Sequence, residues 1–302
     1  MKPQYVSLAL LIIFSVMLSN CQDRKIAQEQ EGISIVDDLG RTVSLPGQVR
    51  RLVSLAPSIT ETVFFLGFDS MLVGVSDFCD YPPTVTAKER VGGMINPNIE
   101  KVLQLKPDVV LITVEGNTKE SFERLESAGL KVFVTNPRGI DGVLHTIESV
   151  NSICGGGSGA KRAMDSLRNI VQESARRAES RTSLSILMLV SLDPLIAAGD
   201  SSHIGGMLRA IKMRNAAGGI RAAYPVMSRE AILRADPDVI LVPSDVSPDA
   251  EYLCSRFPEW KRMQSVLNHH VYAVDPNLFL RPGPRTFEAL LTLESLTSLT
   301  GR

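Results

Sequence analysis

The sequence predicts an α/β protein of two related lobes, each with a parallel sheet, joined by one long rigid helix. Three observations carry this reading. First, residues 98–108, followed by the apolar run Val109-Val110-Leu111-Ile112, recur as residues 228–238 followed by Val239-Ile240-Leu241-Val242. Glu100, Pro107 and Asp108 return as Glu230, Pro237 and Asp238 at a constant offset of 130 residues. Each copy reads as a short amphipathic helix, a Pro-Asp turn and a fully buried strand. Second, strand-like and helix-like segments alternate along the chain, the order of a helix-covered parallel sheet. Third, a long helical pattern from Ala160 to about Ser180 lies between the copies.

The 302 residues are ample for two domains. With 44% hydrophobic residues, 22% charged residues and a net charge of −1, the composition is that of a globular protein. It lacks the basic footprint of a nucleic-acid binder. The N-terminus differs: Lys2 precedes an apolar run from Val6 to Leu18 and the stretch Leu18-Ser19-Asn20-Cys21. The run is short for a membrane span and suits a signal peptide over 1–21, which implies export. Its end resembles a bacterial lipoprotein cleavage site, which makes Cys21 the candidate for lipidation. Residues 22–32 are polar and read as a tether. Cys79, Cys154 and Cys254 allow one disulfide in an exported protein, and all three pairings are open.

Along the chain, 33–45 reads as a hairpin around Asp38-Leu39-Gly40-Arg41. Residues 51–55 form the first buried strand, and Ser58-Ile59-Thr60-Glu61 reads as a capping box opening a helix that stops at Gly67. Strands follow at 71–75, 108–113 and 130–134, with a helix over 121–128. The expected limits are 33–152 for the first lobe, 153–182 for the linking helix and 183–302 for the second lobe. That lobe holds strands at 184–190 and 271–274 and a closing helix over 287–299. Ser191-Leu192-Asp193-Pro194 is expected to end its first strand, as Ser54-Leu55-Ala56-Pro57 does in the first lobe.

In open parallel sheets ligands bind beyond the carboxyl ends of the strands. The candidate loops are therefore 76–83, 91–97, 192–199, 221–227 and 275–285. They carry Phe78, Tyr81, Met94, Leu195, Tyr224, Leu278, Phe279 and Arg281, an apolar and aromatic lining with few charges that suits a large organic ligand. Asp77 and Asp80 are candidate paired carboxylates, or turn residues. A catalytic reading finds no support: His145, His203, His269 and His270 lie in no nucleophile elbow or triad pattern. His269-His270 alone is too little for a metal site. Glu100 and Glu230 sit where a carboxylate meets a helix dipole; one exposed carboxylate per lobe also suits a two-fold partner with basic sockets.

The motifs Asp38-Leu39-Gly40-Arg41, Leu55-Ala56-Pro57-Ser58-Ile59-Thr60-Glu61, Leu105-Lys106-Pro107-Asp108, Ser228-Arg229-Glu230 and Arg281-Pro282-Gly283-Pro284-Arg285 carry a family resemblance. With Gly74-Val75-Ser76 and Asp80-Tyr81-Pro82-Pro83, the chain resembles the helical-backbone substrate-binding proteins of bacterial ABC importers for vitamin B12 and ferric siderophores. The resemblance implies two Rossmann-like lobes on one long helix, with the ligand in the cleft and no intrinsic cofactor. It implies a monomer that docks on a permease dimer through Glu100 and Glu230, with Phe78 against a corrin ring and Asn277-Leu278-Phe279-Leu280-Arg281 as the second lobe's contact loop. Residues 74–83 lean towards cobalamin. Met94, Tyr224 and Leu278 stand where the enteric B12-binding pattern has tryptophan, so another corrinoid, a ferric siderophore or haem stays open. A secreted enzyme or sensor module is the alternative from another class.

Overall fold

The computed structural model of the chain describes residues 32–300. The signal peptide, Cys21 and the tether as far as residue 31 lie outside the described residues. Strands β1 (Ile33–Val36) and β2 (Thr42–Leu45) pair antiparallel as the expected hairpin. The first lobe follows as β3 (Leu52–Ser54), α1 (Pro57–Phe65), β4 (Leu72–Val75), α2 (Ile99–Gln104), β5 (Val109–Thr113), α3 (Lys119–Ser127) and β6 (Val132–Thr135). Its four strands are parallel, in the order β4-β3-β5-β6. Helices α4 (Gly139–Ile153) and α5 (Ser158–Arg177) come next.

The second lobe contains β7 (Ser185–Leu192), β8 (Leu195–Ala197), α6 (His203–Ala210), β9 (Arg214–Asn215), α7 (Arg229–Ala235) and β10 (Val239–Pro243). It continues with α8 (Ala250–Arg256), α9 (Gln264–Leu267), β11 (Val271–Val274), α10 (Pro276–Phe279) and α11 (Thr286–Thr300). Strands β11, β10, β7 and β9 repeat the first lobe's parallel layout, and β8 pairs antiparallel with β7. Here the structure departs from the expected strand end: β7 runs on to Leu192 and turns back through Asp193-Pro194 as β8.

Period-two alternation decides which side chain enters which core. In the first lobe Leu52, Val109, Leu111 and Phe133 face one cluster. Val53, Val110, Ile112, Val132 and Val134 face the other. The second lobe does the same, with Ile186, Met188, Val239 and Leu241 on one side and Leu187, Leu189, Ile240 and Val242 on the other. Both sheets are covered on both faces, which is why their strands read as unbroken apolar runs.

Two helices, not one, lie between the sheets. The expected link at 153–182 overlaps α5, whose core residues Met164 and Leu167 join the second lobe's cluster. The helix with side chains in both cores is α4. Its Ile140, Val143, Leu144 and Ile147 enter the second lobe's core, while Val150 and Ile153 enter the first. Gly206 of α6 allows this: a Cβ there would lie 2.5 Å from the Ile140 nitrogen and 2.6 Å from the Gly139 Cα.

The internal repeat proves to be a backbone device. Asn98 caps α2 by accepting from the Lys101 amide at 3.0 Å, and Ser228 caps α7 by accepting from the Ala231 amide at 3.1 Å. After each helix a residue stands in the left-handed region, Lys106 at φ 45° and Asp236 at φ 36°, just before the proline. For a residue with a Cβ this costs about 1 kcal/mol, so both copies carry the same strain. The aspartates then tie each unit to the next strand. Asp108 Oδ2 accepts from the Arg50 and Arg51 amides at 2.7 and 2.9 Å, and Asp238 Oδ2 accepts from the Ser185 amide at 2.7 Å. Asp108→Ala should therefore cost about 2 kcal/mol in urea unfolding, and Asp108→Asn, which keeps an acceptor, less than half of that. Equal losses would show that charge and acceptor play no separate part.

Candidate functional site

Between the carboxyl ends of the two sheets lies a cleft of about 250 Å³. The first lobe contributes Pro57, Ser58, Phe78, Met94, Thr113, Glu115 and Gly116, and the second contributes Leu280, Arg281 and Pro282. Asn117 ties three of the first lobe's segments together. Its amide nitrogen donates to the Met94 and Leu55 carbonyls at 2.8 and 3.3 Å, and its oxygen accepts from the Thr113 amide at 2.9 Å. The Asp77 amide donates to the Gly92 carbonyl at 2.9 Å, fastening the Phe78 loop to the Met94 loop.

A polar chain crosses from lobe to lobe beside this cleft. The Tyr224 hydroxyl lies 3.3 Å from Glu115 Oε2 and 3.3 Å from His203 Nδ1, and His203 Nε2 lies 2.8 Å from the Phe279 carbonyl. A carbonyl only accepts, so Nε2 carries the proton and Nδ1 keeps its lone pair; the single hydroxyl proton of Tyr224 serves one of two acceptors, Glu115 Oε2 or Nδ1. Burial holds His203 neutral, its pKa pushed down to about 4 against a weaker raising effect of the Phe279 bond. Burial also raises Glu115 to about 6, opposed by Arg138 and by the Tyr224 hydrogen bond.

A second contact between the lobes is ionic. Glu61 of α1 is nearly fully buried and receives Arg285 in a two-pronged grip, Nε at 2.8 Å and Nη2 at 2.6 Å. Arg281 Nη1 reaches Glu61 at 3.3 Å and binds Asp80 with both terminal nitrogens, at 2.5 and 3.1 Å. The Arg281 hydrogen bond lowers the Asp80 pKa. The guanidinium of Arg285 also stacks 4.1 Å over the Tyr81 ring. The capping box expected at Ser58 and Glu61 is absent. Ala56 is the N-cap, Pro57 holds the first turn, and the Glu61 carboxylate turns to the two arginines of the second lobe.

The expected site residues are thus sorted. Phe78, 58% exposed, lines the cleft with Met94, Leu280 and Arg281. Tyr224 bonds Glu115 at its edge. Tyr81 lies elsewhere, in an outer pocket with Phe64, Phe65 and Arg285. Residues 275–285 are not wholly loop: Asn277 and Leu278 sit on the single turn of α10. That turn rotates Phe279, 1% exposed, into the second lobe's core, so its side chain cannot meet a ligand there. Thr113 and Glu115 were missed. Thr113 is the last residue of β5 and Glu115 lies in the turn after it, and the same strand-end rule that selected the other loops would have included them.

Glu100 and Glu230 are both exposed, in the first turns of α2 and α7. Glu230 is held below the usual carboxylate range, first by its own backbone amide and then by Ser228. Cys79, Cys154 and Cys254 are all free and buried, so no pairing among them is formed. His269 and His270 occupy the turn before β11. Among the described residues no cluster of three or more His, Cys, Asp or Glu is placed to hold a metal.

Two α/β lobes with parallel sheets meeting at a cleft define the two-lobe class of periplasmic binding protein folds. Residues 52–278 match the periplasmic binding protein family, and the chain belongs to it. It is 31% identical over 297 residues to the uncharacterized ABC transporter substrate-binding lipoprotein YvrC of Bacillus subtilis (strain 168), covering 93% of each chain. It is 26% identical over 249 residues to the vitamin B12-binding protein of Vibrio cholerae, covering 81% of this chain and 88% of that one. The fold is shared with the crystal structure of the periplasmic vitamin B12 binding protein BtuF of Vibrio cholerae (TM-score 0.74, 24% identity, 83% and 98% coverage). It is shared equally with the periplasmic heme-binding protein RhuT from Roseiflexus sp. RS-1 (TM-score 0.74, 24% identity, 84% and 100% coverage).

Two expectations follow from these contacts. Glu61→Gln leaves the part-buried Arg285 without its carboxylate partner and should cost about 2 kcal/mol in urea unfolding, whereas Glu61→Leu with Arg285→Met should recover much of it. A double variant no better than the single would refute the ionic account. The unfolded chain protonates His203 near 6.5 and the folded chain near 4, so stability falls as pH drops through that interval. Glu115 acts oppositely, costing stability as pH rises from 4.5 to about 6. His203→Gln should therefore remove about 2–3 kcal/mol from the difference in unfolding free energy between pH 7 and pH 4.5. An unchanged difference would place the titration elsewhere.

Proposed function

We propose that this chain captures a corrinoid outside the cytoplasm and delivers it to the permease dimer of an ABC importer. The observation that carries the ligand class is the state of the cations at the cleft. Arg281, the one cation among the described residues lining it, is bound to Asp80 and Glu61, and Arg285 beside it is bound to Glu61. Ferric siderophores and haem bring anionic groups that need free basic partners, whereas a corrinoid is nearly neutral and is held chiefly by area. The apolar lining and exposed Phe78 suit that mode, and the B12-binding relatives support it. At about 250 Å³ the cleft is smaller than a macrocycle, so capture lifts Phe78 and parts the lobes around the Glu61 contact.

Binding, not catalysis, is the role, in keeping with relatives that are substrate-binding proteins. Export through the signal peptide and lipidation of Cys21 would hold the protein at the outer face of the cytoplasmic membrane, as the lipoprotein relative supports. No helix among the described residues is long and apolar enough to cross a membrane. Glu100 and Glu230, exposed in the first turns of α2 and α7 on separate lobes, are the docking carboxylates for basic sockets on the permease.

Calorimetric titration with cyanocobalamin should give micromolar or tighter binding, with a shift in the ligand's visible spectrum. Binding of haemin or a ferric siderophore in its place would overturn the corrinoid reading. The double variant Glu100→Ala, Glu230→Ala should keep ligand affinity within about twofold while transport falls at least about tenfold. Lost affinity would refute the docking role.

A further inference from the structure

Two buried polar atoms at the cleft have no hydrogen-bond partner: Thr113 Oγ1 and Glu115 Oε1. Thr113 is 3% exposed, and the Glu115 side chain 11%. They stand two residues apart at the carboxyl end of β5. Neither atom accepts or donates a hydrogen bond within the protein, although Glu115 is ion-paired with Arg138. Arg138 Nη1 lies 3.7 Å from Glu115 Oε1, beyond hydrogen-bond reach, and Oε2 already faces the Tyr224 hydroxyl. Buried groups of this kind are normally satisfied, so a pair left open on one cleft wall points to a ligand.

The chemistry of the pair is specific. A threonine hydroxyl can donate, and an ionised glutamate only accepts. Together they complement a group that offers an acceptor oxygen and an N–H donor side by side, as a primary carboxamide does. A ligand carboxylate would instead set its charge against Glu115 and find no N–H to replace. We propose that Thr113 and Glu115 form a carboxamide-reading subsite, which selects an amide-bearing ligand over the corresponding acid. This inference rests on the corrinoid reading, because corrinoids carry peripheral carboxamides where haem carries carboxylates. Three groups bear on the ionisation of Glu115: Arg138 ahead of α4, and Tyr224 and, through it, neutral His203 from the second lobe. Selectivity is therefore greatest at neutral pH and relaxes as Glu115 takes a proton, its pKa being about 6.

The test is the dissociation constant of cyanocobalamin and of its monocarboxylates, each with one side-chain amide hydrolysed, at pH 7.5. The wild type should bind at least one monocarboxylate about tenfold more weakly than the parent. Glu115→Gln, whose amide can donate to a carboxylate, should bring that ratio within about threefold while leaving circular dichroism and melting temperature near wild type. Thr113→Val should weaken the parent about tenfold, and at pH 5.5 the wild-type ratio should narrow by itself. Equal binding of parent and all acids, or a ratio that Glu115→Gln leaves unchanged, overturns the subsite. Should cyanocobalamin fail to bind the wild type at all, the corrinoid reading fails, and haemin against its diamide decides the subsite separately. Preference for the diamide, removed by Glu115→Gln, supports it; preference for the free acid, or no preference, overturns it.

Discussion

Helix α4 belongs to two cores at once, and the rest of the architecture depends on that. Its first half completes the core beneath β7 and β10, and its last turn completes the core beneath β3 and β5. Neither core is finished without it, so the lobes cannot separate as independent bodies. They can only tilt about a helix that stays buried at both ends. Gly206 matters for the same reason: the α4 backbone sits where a side chain on α6 would otherwise stand. Dense packing of this kind makes a stiff joint with a small number of arrangements.

Opposite this joint, the lobes touch through groups of another kind. The grip of Arg285 on Glu61 and of Arg281 on Asp80 is short-range, ionic and partly open to water. A Cβ added at Gly283 would lie 3.0 Å from the Ser58 carbonyl oxygen, so the two backbones approach closely beside the ion cluster. An apolar joint and a polar contact both hold the lobes together. The internal repeat contributes to neither. It duplicates the cap, the left-handed residue, the proline and the strand-pinning aspartate. The cleft is lined from unlike loops on each side.

What the residues disclose in advance follows from the range of the forces involved. Strands β3, β5, β7 and β10 were legible because continuous apolar runs have one use in a covered sheet. The repeat was legible because its caps and turn are satisfied within a dozen residues. Glu61 was misread for the complementary reason. Local pattern makes it a capping residue, and only a partner 224 positions away makes it half of an ion pair. Phe279 sat in the right loop and points the wrong way, since a single turn of helix decides its direction. Helix α4 carries a polar stripe of Asp141, His145, Glu148 and Ser152 at helical spacing, but that its apolar face serves two cores depends on partners distant in sequence. Of the site, Phe78, Met94 and Arg281 were found by loop position, whereas Thr113 and Glu115 are distinguished only by what they fail to bond.

The strained residues Lys106 and Asp236 have a mechanical consequence. Each fixes the angle between a short helix and the strand after it, and each strand is pinned in turn to its neighbour by Asp108 or Asp238. The two helices therefore move with their sheets as the jaws of a caliper move with its arms. Their tips, Glu100 and Glu230, lie on the surface, so the span between two charges measures the angle between the lobes. A surface that gripped both tips would read that angle without touching the cleft, and by forcing the span it would impose an angle of its own.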